Sequence, residues 1–299
     1  MVAAAALVVL AACSSGTKGA APARTTTTTS SSTTSMLATT TTAVDPTTKP
    51  IAAGDAPSLA RQIIAAETAI ADDTTGEAAL AAAAHLQQVA YRALAAHPEW
   101  DSVVGAALPA SMQAAMHANV SAGRQLRSLV KSPKPNLPPW TIVAPAPRDE
   151  LLRYYREGEA TYGVPWEYLA AVNLVETKMG RIRGTSTAGA QGPMQFLPST
   201  WMAYGAGGDI NSNHDAILTA ARYLHANGAP ARMADALHHY NPADQYVTAV
   251  TAYAERMADE HAYRSYYHWQ VYYWSTLGDV WLRVGYHEDH ERPVTPADL

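Results

Sequence analysis

Residues 165–180 limit the choice of fold more strongly than any other part of the chain. The segment begins with Pro165, ends with Gly180 and is apolar almost all round between them. Proline at the start and glycine just past the end are typical of helix termini, so we predict a helix from Pro165 to about Met179. A helix without a polar face must be surrounded by other protein, which places this one at the centre of a domain.

One residue of this helix breaks its apolar character. Glu176 follows Leu169 by seven positions and Val172 by four, so its carboxylate projects from their apolar face near the helix C-terminus. Burial and the negative end of the helix dipole both disfavour the charged form, and both would raise the pKa toward that of a general acid. The helix alone leaves a second interpretation open, in which Glu176 is exposed and paired with Lys178 or Arg181.

The segment 51–131 reads as a small helical bundle. Its apolar residues recur at helical spacing, first as Leu59, Ile63, Ala66 and Ile70 and then as Ala82, Leu86, Val89 and Ala93. Pro109 is expected to kink or end a third helix. His85 lies opposite Ala82 and Val89 or at the edge of their face, so we expect it at the surface.

Proline-rich sequence separates this bundle from a second helical unit. Residues 132–148 form an extended linker, with Trp140 and Ile142 expected to pack onto the second unit. A catalytic unit is predicted over 149–262 and an aromatic-rich extension over 263–299. Two runs in that extension, Trp269–Ser275 and Val280–Val284, predict a short β-hairpin whose rings mostly pack onto a core.

The N-terminal region carries the sole cysteine of the 299-residue chain, Cys13. A single cysteine excludes an internal disulfide framework and leaves lipidation, an intermolecular bridge or a free thiol. The apolar run before it ends in Leu-Ala-Ala-Cys, which is typical of a lipoprotein signal peptide over 1–13, and it is shorter than the roughly 20 residues of a membrane-spanning helix. Residues 14–50, rich in Ser and Thr, are expected to be a disordered linker. We therefore expect an extracytoplasmic protein anchored to the membrane by a lipid on Cys13.

Charge and metal-ligand patterns give little support to other classes of function. The formal net charge of −5, with no long run of Lys or Arg, gives no case for nucleic-acid binding. Residues from Asp209 onward imitate the start of a calcium loop but have His214 at position six and Ala220 at position twelve, so Asp215 is better read as a helix N-cap. The H-x-x-H spacing of 287–290 lies in a Pro-containing polar tail that does not fit zinc. No metal and no cofactor are predicted.

The sequence after Glu176 carries a compound motif. Glu176-Thr177-Lys178-Met179-Gly180 is followed by the segment 188–201, Ala-Gly-Ala-Gln-Gly-Pro-Met-Gln-Phe-Leu-Pro-Ser-Thr-Trp, then by the Ala-rich stretch 216–224 and by Tyr240-Asn241. In order and spacing this resembles the catalytic core of lytic transglycosylases of the soluble and membrane-bound type, over roughly 150–260. The resemblance implies a mainly α, lysozyme-like fold with Glu176 as catalytic acid and base. It further implies a substrate-binding cleft around Glu176, whose residues either contact the substrate or orient the nearby backbone: Thr177, Met194, Gln195, Tyr240 and Asn241.

The resemblance also implies an unusual reaction. Ordinary glycosidases use two carboxylates flanking the bond, whereas this motif supplies one. The implied enzyme cuts the MurNAc-GlcNAc β-1,4 bond of peptidoglycan with help from the N-acetyl group of the substrate, and forms 1,6-anhydromuramic products. Two alternatives stay open: a hydrolytic muramidase on the same fold, in which Asp209 or another carboxylate activates water, and a non-catalytic wall-binding lipoprotein.

Overall fold

The computed structural model describes residues 48–299 and confirms the mainly α class. Cys13, the predicted signal peptide and nearly all of the predicted linker lie outside these residues. Within residues 48–299, no helix combines the length and the apolar character that a membrane-spanning helix needs. The helices described are α1 Ala56–Ala71, α2 Glu77–Ala96, α3 Asp101–Ala107, α4 Ala110–Ser128, α5 Arg148–Tyr162, α6 Trp166–Thr177, α7 Pro198–Tyr204, α8 Asn213–Ala226, α9 Met233–Tyr240, α10 Asp244–Met257 and α11 Glu260–Tyr267.

Helices α1 to α4 form the predicted N-terminal bundle around a small apolar core. Asp55 caps α1, accepting a hydrogen bond from the backbone N–H of Ser58 at 2.8 Å. Pro109 separates α3 from α4, as its fixed φ and missing N–H predict. The largest members of this core are Leu59, Ile63, Tyr91, Leu94, Leu108 and Met116.

Helix α6 lies at the centre of the second unit, as its uniform apolar character predicts. Ten of its 12 residues are buried, and it packs against α5, α8 and α10. Gly163 ends α5 in the left-handed conformation, and the turn at Pro165 then starts α6. The chain around the site is therefore held by a helix that solvent does not reach.

The bundle and the second unit share part of one core. Helix α4 packs along α10, and Ala122 and Leu126 of α4 belong to the same apolar cluster as α6. Tyr266 of α11 donates a hydrogen bond to the Oδ1 of Asn119 on α4 at 2.8 Å. The predicted domain limits stay predictions, but the two helical regions are in direct contact.

Over residues 48–299, six short strands form three two-stranded antiparallel sheets. The predicted hairpin is confirmed as β4 Val271–Ser275 with β5 Gly278–Leu282, after β1 Asn136–Leu137, β2 Thr141–Ile142 and β3 Ile182–Arg183. The last strand, β6 Arg292–Pro293, pairs with β1, while β2 pairs with β3. Trp140 and Ile142 are buried in a small core of their own, formed mainly with the hairpin and not with the helices of the second unit.

The expectation that His85 lies at the surface is wrong. The hairpin covers this face of α2, so that His85 is buried and its Nε2 lies 2.7 Å from the Tyr272 hydroxyl. Burial lowers the pKa of His85 to about 3, which keeps the imidazole neutral. An ion pair between Arg92 and Asp279 joins the same two elements. The hairpin is thus docked on the bundle by polar contacts that periodicity along α2 could not reveal.

Candidate active site

Glu176 occupies the last turn of α6 and is 4% exposed. The three residues that follow the helix, Lys178, Met179 and Gly180, all have positive φ, at 54°, 62° and 78°. This left-handed run reverses the chain sharply after α6. The carboxyl group is therefore fixed at a point where a buried helix stops and the backbone turns back over it.

The carboxyl group of Glu176 accepts one hydrogen bond, from the hydroxyl of Tyr246 to Oε1 at 2.7 Å. Burial raises the pKa of Glu176 to about 7, against the opposing effects of the Tyr246 hydrogen bond and of the charge on Lys178. A pKa near 7 allows one group to act as acid and then as base at neutral pH. The direction of the shift agrees with the sequence argument from burial.

Neither cation proposed in the second interpretation pairs with Glu176. The ammonium of Lys178 donates to the carbonyl of Leu174 at 2.9 Å, and a guanidinium nitrogen of Arg181 donates to the carbonyl of Tyr267 at 2.9 Å. Within residues 48–299, Glu176 is also the sole buried carboxylate. The interpretation of Glu176 as an exposed, ion-paired helix-end residue is therefore wrong.

Thr177 fixes the backbone beside the acid. Its hydroxyl donates to the carbonyl of Pro193 at 2.5 Å and accepts from the N–H of Gly180 at 3.1 Å. The side-chain amide of Asn173, one turn earlier, donates to the same Pro193 carbonyl at 2.8 Å. These contacts tie the glycine-containing segment to α6.

The segment 191–196 forms a tight loop against this anchor. Gln191 and Phe196 exchange two backbone hydrogen bonds of 2.9 Å. Gly192 has a φ of 74°, and a Cβ there would lie 1.9 Å from the carbonyl oxygen of Ile210. Only glycine fits this close approach of two backbones, which accounts for the Gly-Pro step in the motif.

The structure places the predicted substrate residues of this loop at different depths. Gln195 has a φ of 51° and its side-chain amide donates to the carbonyl of Gly192 at 3.0 Å, which holds the loop from within. Met194 is fully buried, and its carbonyl accepts from the hydroxyl of Tyr240 at 2.6 Å. The side chain of Met194 is thus part of the core, whereas Gln195 lies at its edge with 9% exposure.

Tyr240 and Asn241 close the opposite side of the site. Tyr240 ends α9, and its ring is nearly parallel to that of Tyr246, with 6.5 Å between centroids and 5° between planes. Asn241 is buried and lines a groove beside the site. The structure therefore brings Glu176, the Tyr240 ring and the motif loop together, although they are far apart in sequence.

Tyr246 is the site residue that the sequence did not indicate. It lies on α10, is fully buried and belongs to the apolar face of an amphipathic helix. A tyrosine at such a position reads as core, and no motif distinguishes its hydroxyl. Its role depends on α10 packing across α6, which places the hydroxyl against the carboxyl of Glu176.

The loop that resembles a calcium site is organised by its own hydrogen bonds. Asp209 is exposed and accepts from the N–H of Asn211 at 2.9 Å. Ser212, not Asp215, is the N-cap of α8, so that part of the prediction is wrong; Asp215 lies in the first turn and accepts from the N–H of Asp209 at 2.9 Å. Among residues 48–299, no group of three or more His, Cys, Asp or Glu side chains is arranged to hold a metal ion.

Comparison with known families gives one match. The family model described as "Transglycosylase SLT domain" matches residues 184–234, which include the loop at 191–196 and helices α7 and α8. Searches of curated proteins and of solved structures found no match. The partial match supports the lytic transglycosylase family and, with it, activity on peptidoglycan, while Glu176, Tyr240 and Tyr246 lie outside the matched residues.

Proposed function

We propose that this chain is a peptidoglycan lytic transglycosylase that uses Glu176 as its single catalytic acid and base. The observation that carries the proposal is the environment of Glu176, a buried carboxyl group with a pKa of about 7 tied to the segment that matches the family model. A buried acid costs folding free energy, so a protein that only binds cell wall has no use for it. This argues against the non-catalytic alternative.

In the proposed reaction, protonated Glu176 first donates its proton to the oxygen of the MurNAc-GlcNAc β-1,4 bond. The bond between that oxygen and the anomeric carbon breaks, and the N-acetyl carbonyl oxygen of the substrate assists at the anomeric carbon. The ionised carboxylate then takes the proton from the C6 hydroxyl, whose oxygen bonds to the anomeric carbon and closes a 1,6-anhydro ring. Glu176 ends protonated as it began, and no water is consumed.

Tyr246 supports both steps in this scheme. Its hydroxyl stabilises the ionised carboxylate that exists between them, without removing the effect of burial on the pKa of Glu176. Thr177, Gln195, Tyr240 and Asn241 would shape the adjoining cleft, and Met194 would contribute through its backbone. The residues that hold the loop also keep the acid at a fixed distance from the substrate.

A hydrolytic muramidase is the alternative that uses the same fold. It requires a second group to activate water, and Asp209, which the sequence suggested, is exposed and held in its own loop. The single buried carboxylate among residues 48–299 favours the intramolecular reaction.

The products decide between these reactions. Purified protein is incubated with isolated peptidoglycan, and the soluble fragments are identified by mass spectrometry. We expect 1,6-anhydromuramic ends from the wild-type chain and their loss in Glu176→Gln, with unchanged circular dichroism. Reducing ends would instead indicate the muramidase, and equal release by both proteins would refute the role of Glu176.

The cellular setting is proposed from the N-terminal sequence. A lipid on Cys13 and the Ser/Thr-rich linker would hold the catalytic unit outside the cytoplasm, within reach of the polymer. The partners in this proposal are the glycan strands of peptidoglycan and the membrane that carries the anchor.

A further inference from the structure

A groove of about 570 Å³ lies beside the site. Ser186 and Asn241 form the wall nearest to the catalytic segments, since Ser186 accepts a hydrogen bond from the N–H of Ala190 and Asn241 directly follows Tyr240. The other walls come from the linker after α4 and from the β4–β5 hairpin, including Trp274. Most of the groove is therefore built by residues outside the range that matches the family model.

Two lysines that form no ion pair within the described residues line this groove. Lys131 and Lys134 are both exposed, and neither ammonium forms an ion pair within residues 48–299. One carboxylate, that of Glu291, also lines the groove and accepts a hydrogen bond from the side-chain amide of Asn136 at 3.3 Å. A ligand that complements this set carries more than one negative charge together with a positive one.

The remaining walls of the groove are mostly apolar and include a few hydroxyl-bearing side chains. Trp140 is buried beneath the groove, and Trp274 is half-buried beside it with the guanidinium of Arg127 over its ring. Thr185 and Thr187, the neighbours of Ser186 in the chain, are exposed and also line the groove. Apolar surface with a few polar groups at its margin is the usual composition of a binding pocket, and the volume is within the range for a ligand of a few residues.

We propose that this groove binds the acidic peptide stem of peptidoglycan while the attached glycan lies at Glu176. Apart from the peptide attached to its lactyl group, the amino-sugar backbone carries only uncharged hydroxyl and N-acetyl groups. Binding of these groups would not require two lysines that form no ion pair. The stem peptide carries several carboxylates and one diamino acid, which match the two lysines and Glu291. This inference rests on the proposed function for the identity of the polymer, and it assigns the linker and hairpin a part in substrate recognition.

Direct binding tests the inference independently of catalysis. The full chain, as wild type and as Glu176→Gln, is titrated calorimetrically with the N-acetylated synthetic peptide acetyl-L-Ala-γ-D-Glu-L-Lys-D-Ala, whose N-terminus is uncharged like that of the lactyl-linked stem. We expect both proteins to bind it, and the double variant Lys131→Ala, Lys134→Ala to bind about five- to tenfold more weakly, because each lost pair is solvent-exposed. The wild-type affinity should also fall as the salt concentration rises.

A matched control removes two positive charges elsewhere. The double variant Arg61→Ala, Arg153→Ala has the same net charge as the lysine variant, and both arginines are exposed and outside the groove. We expect it to retain wild-type affinity for the peptide, as should Lys131→Arg, Lys134→Arg. If both alanine variants lose the same affinity for the peptide, the change in net charge alone explains the effect and the inference is overturned.

Two further outcomes separate this inference from the proposed function. If the wild-type chain binds peptide-free glycan strands but not the peptide, the groove assignment is wrong. The proposed reaction is unaffected by that result, because release of anhydromuramic products is measured separately. If the peptide binds in a lysine-dependent way but no anhydromuramic product forms, the groove assignment stands and the proposed reaction fails. We also measure turnover on a substrate with intact stems and on peptide-free strands. The ratio of the first rate to the second should be lower in the lysine variant than in the wild-type chain.

Discussion

Replacing Tyr246 with phenylalanine removes the hydroxyl that donates to Glu176 at 2.7 Å and keeps the buried ring. The pKa of Glu176, about 7, is set by burial, which raises it, against this hydrogen bond and the charge of Lys178, which lower it. Without the hydroxyl the ionised carboxylate loses a donor, so the pKa of Glu176 should rise.

The size of this shift can be worked from the energy of the hydrogen bond. A hydrogen bond to a charged group contributes about 1.5–3 kcal/mol, and about 1.4 kcal/mol corresponds to one pKa unit. The pKa of Glu176 should therefore rise by roughly one to two units in Tyr246→Phe. Because the first step needs the protonated acid, the alkaline limb of the pH–rate profile should move to higher pH by the same amount.

The assay is kcat/KM for anhydromuramic product release as a function of pH. Tyr253→Phe is the control, because Tyr253 is also buried on α10 but its ring packs on Tyr266 and Trp269, away from the carboxyl. We expect the alkaline limb to be unchanged in the control. If Tyr246→Phe and Tyr253→Phe show the same limb as wild type, the hydrogen bond does not set the pKa of Glu176 and the reasoning fails.

Three further predictions concern stability and location. The pKa of Glu176 is raised from 4.5 to about 7, so ionising this group destabilises the folded state increasingly as pH rises between these values, by about 3 kcal/mol above pH 7. In urea unfolding, Glu176→Gln should therefore be more stable than wild type at pH 8 and similar to it at pH 4. An equal difference in stability at both pH values would contradict this. Gly192→Ala should lower the free energy of unfolding by at least about 2 kcal/mol, measured by thermal unfolding, because the added Cβ would collide with the carbonyl of Ile210. Gly189→Ala should cost less, because its added Cβ would meet nothing within 4 Å. Similar losses in both variants would show that backbone strain at positive φ dominates over the contact with Ile210. Cys13→Ala should move the protein from the membrane fraction to the soluble fraction, and retention on membranes would rule out the lipid anchor.

The sequence alone determined those features that depend on local chemistry. The uniform apolar character of 165–179 indicated a buried helix, although α6 ends at Thr177 and not near Met179, because Lys178 and Met179 already have positive φ. The alternation and turn residues of the tail predicted the β4–β5 hairpin. The compound motif indicated Glu176, Gln195 and Tyr240 as candidate site residues, because a carboxylate in an apolar helix and a glycine-containing turn can be recognised without knowing their neighbours in space.

Tertiary structure alone decided which side chains meet across elements. Tyr246 follows Glu176 by 70 positions and meets it only because α10 packs across α6. On α2, periodicity indicated the wrong face: Ala82, Leu86, Val89 and Ala93 are only half-buried, whereas Ala84, His85 and Gln88 are buried. His85 was misplaced for the same reason, since the hairpin residue that it contacts is 187 positions away in sequence. The groove beside Asn241 likewise arises where the linker and hairpin pass the site. Burial of a polar group depends on the packing of distant segments, so its partner and its pKa cannot be read from the residues around it in the chain.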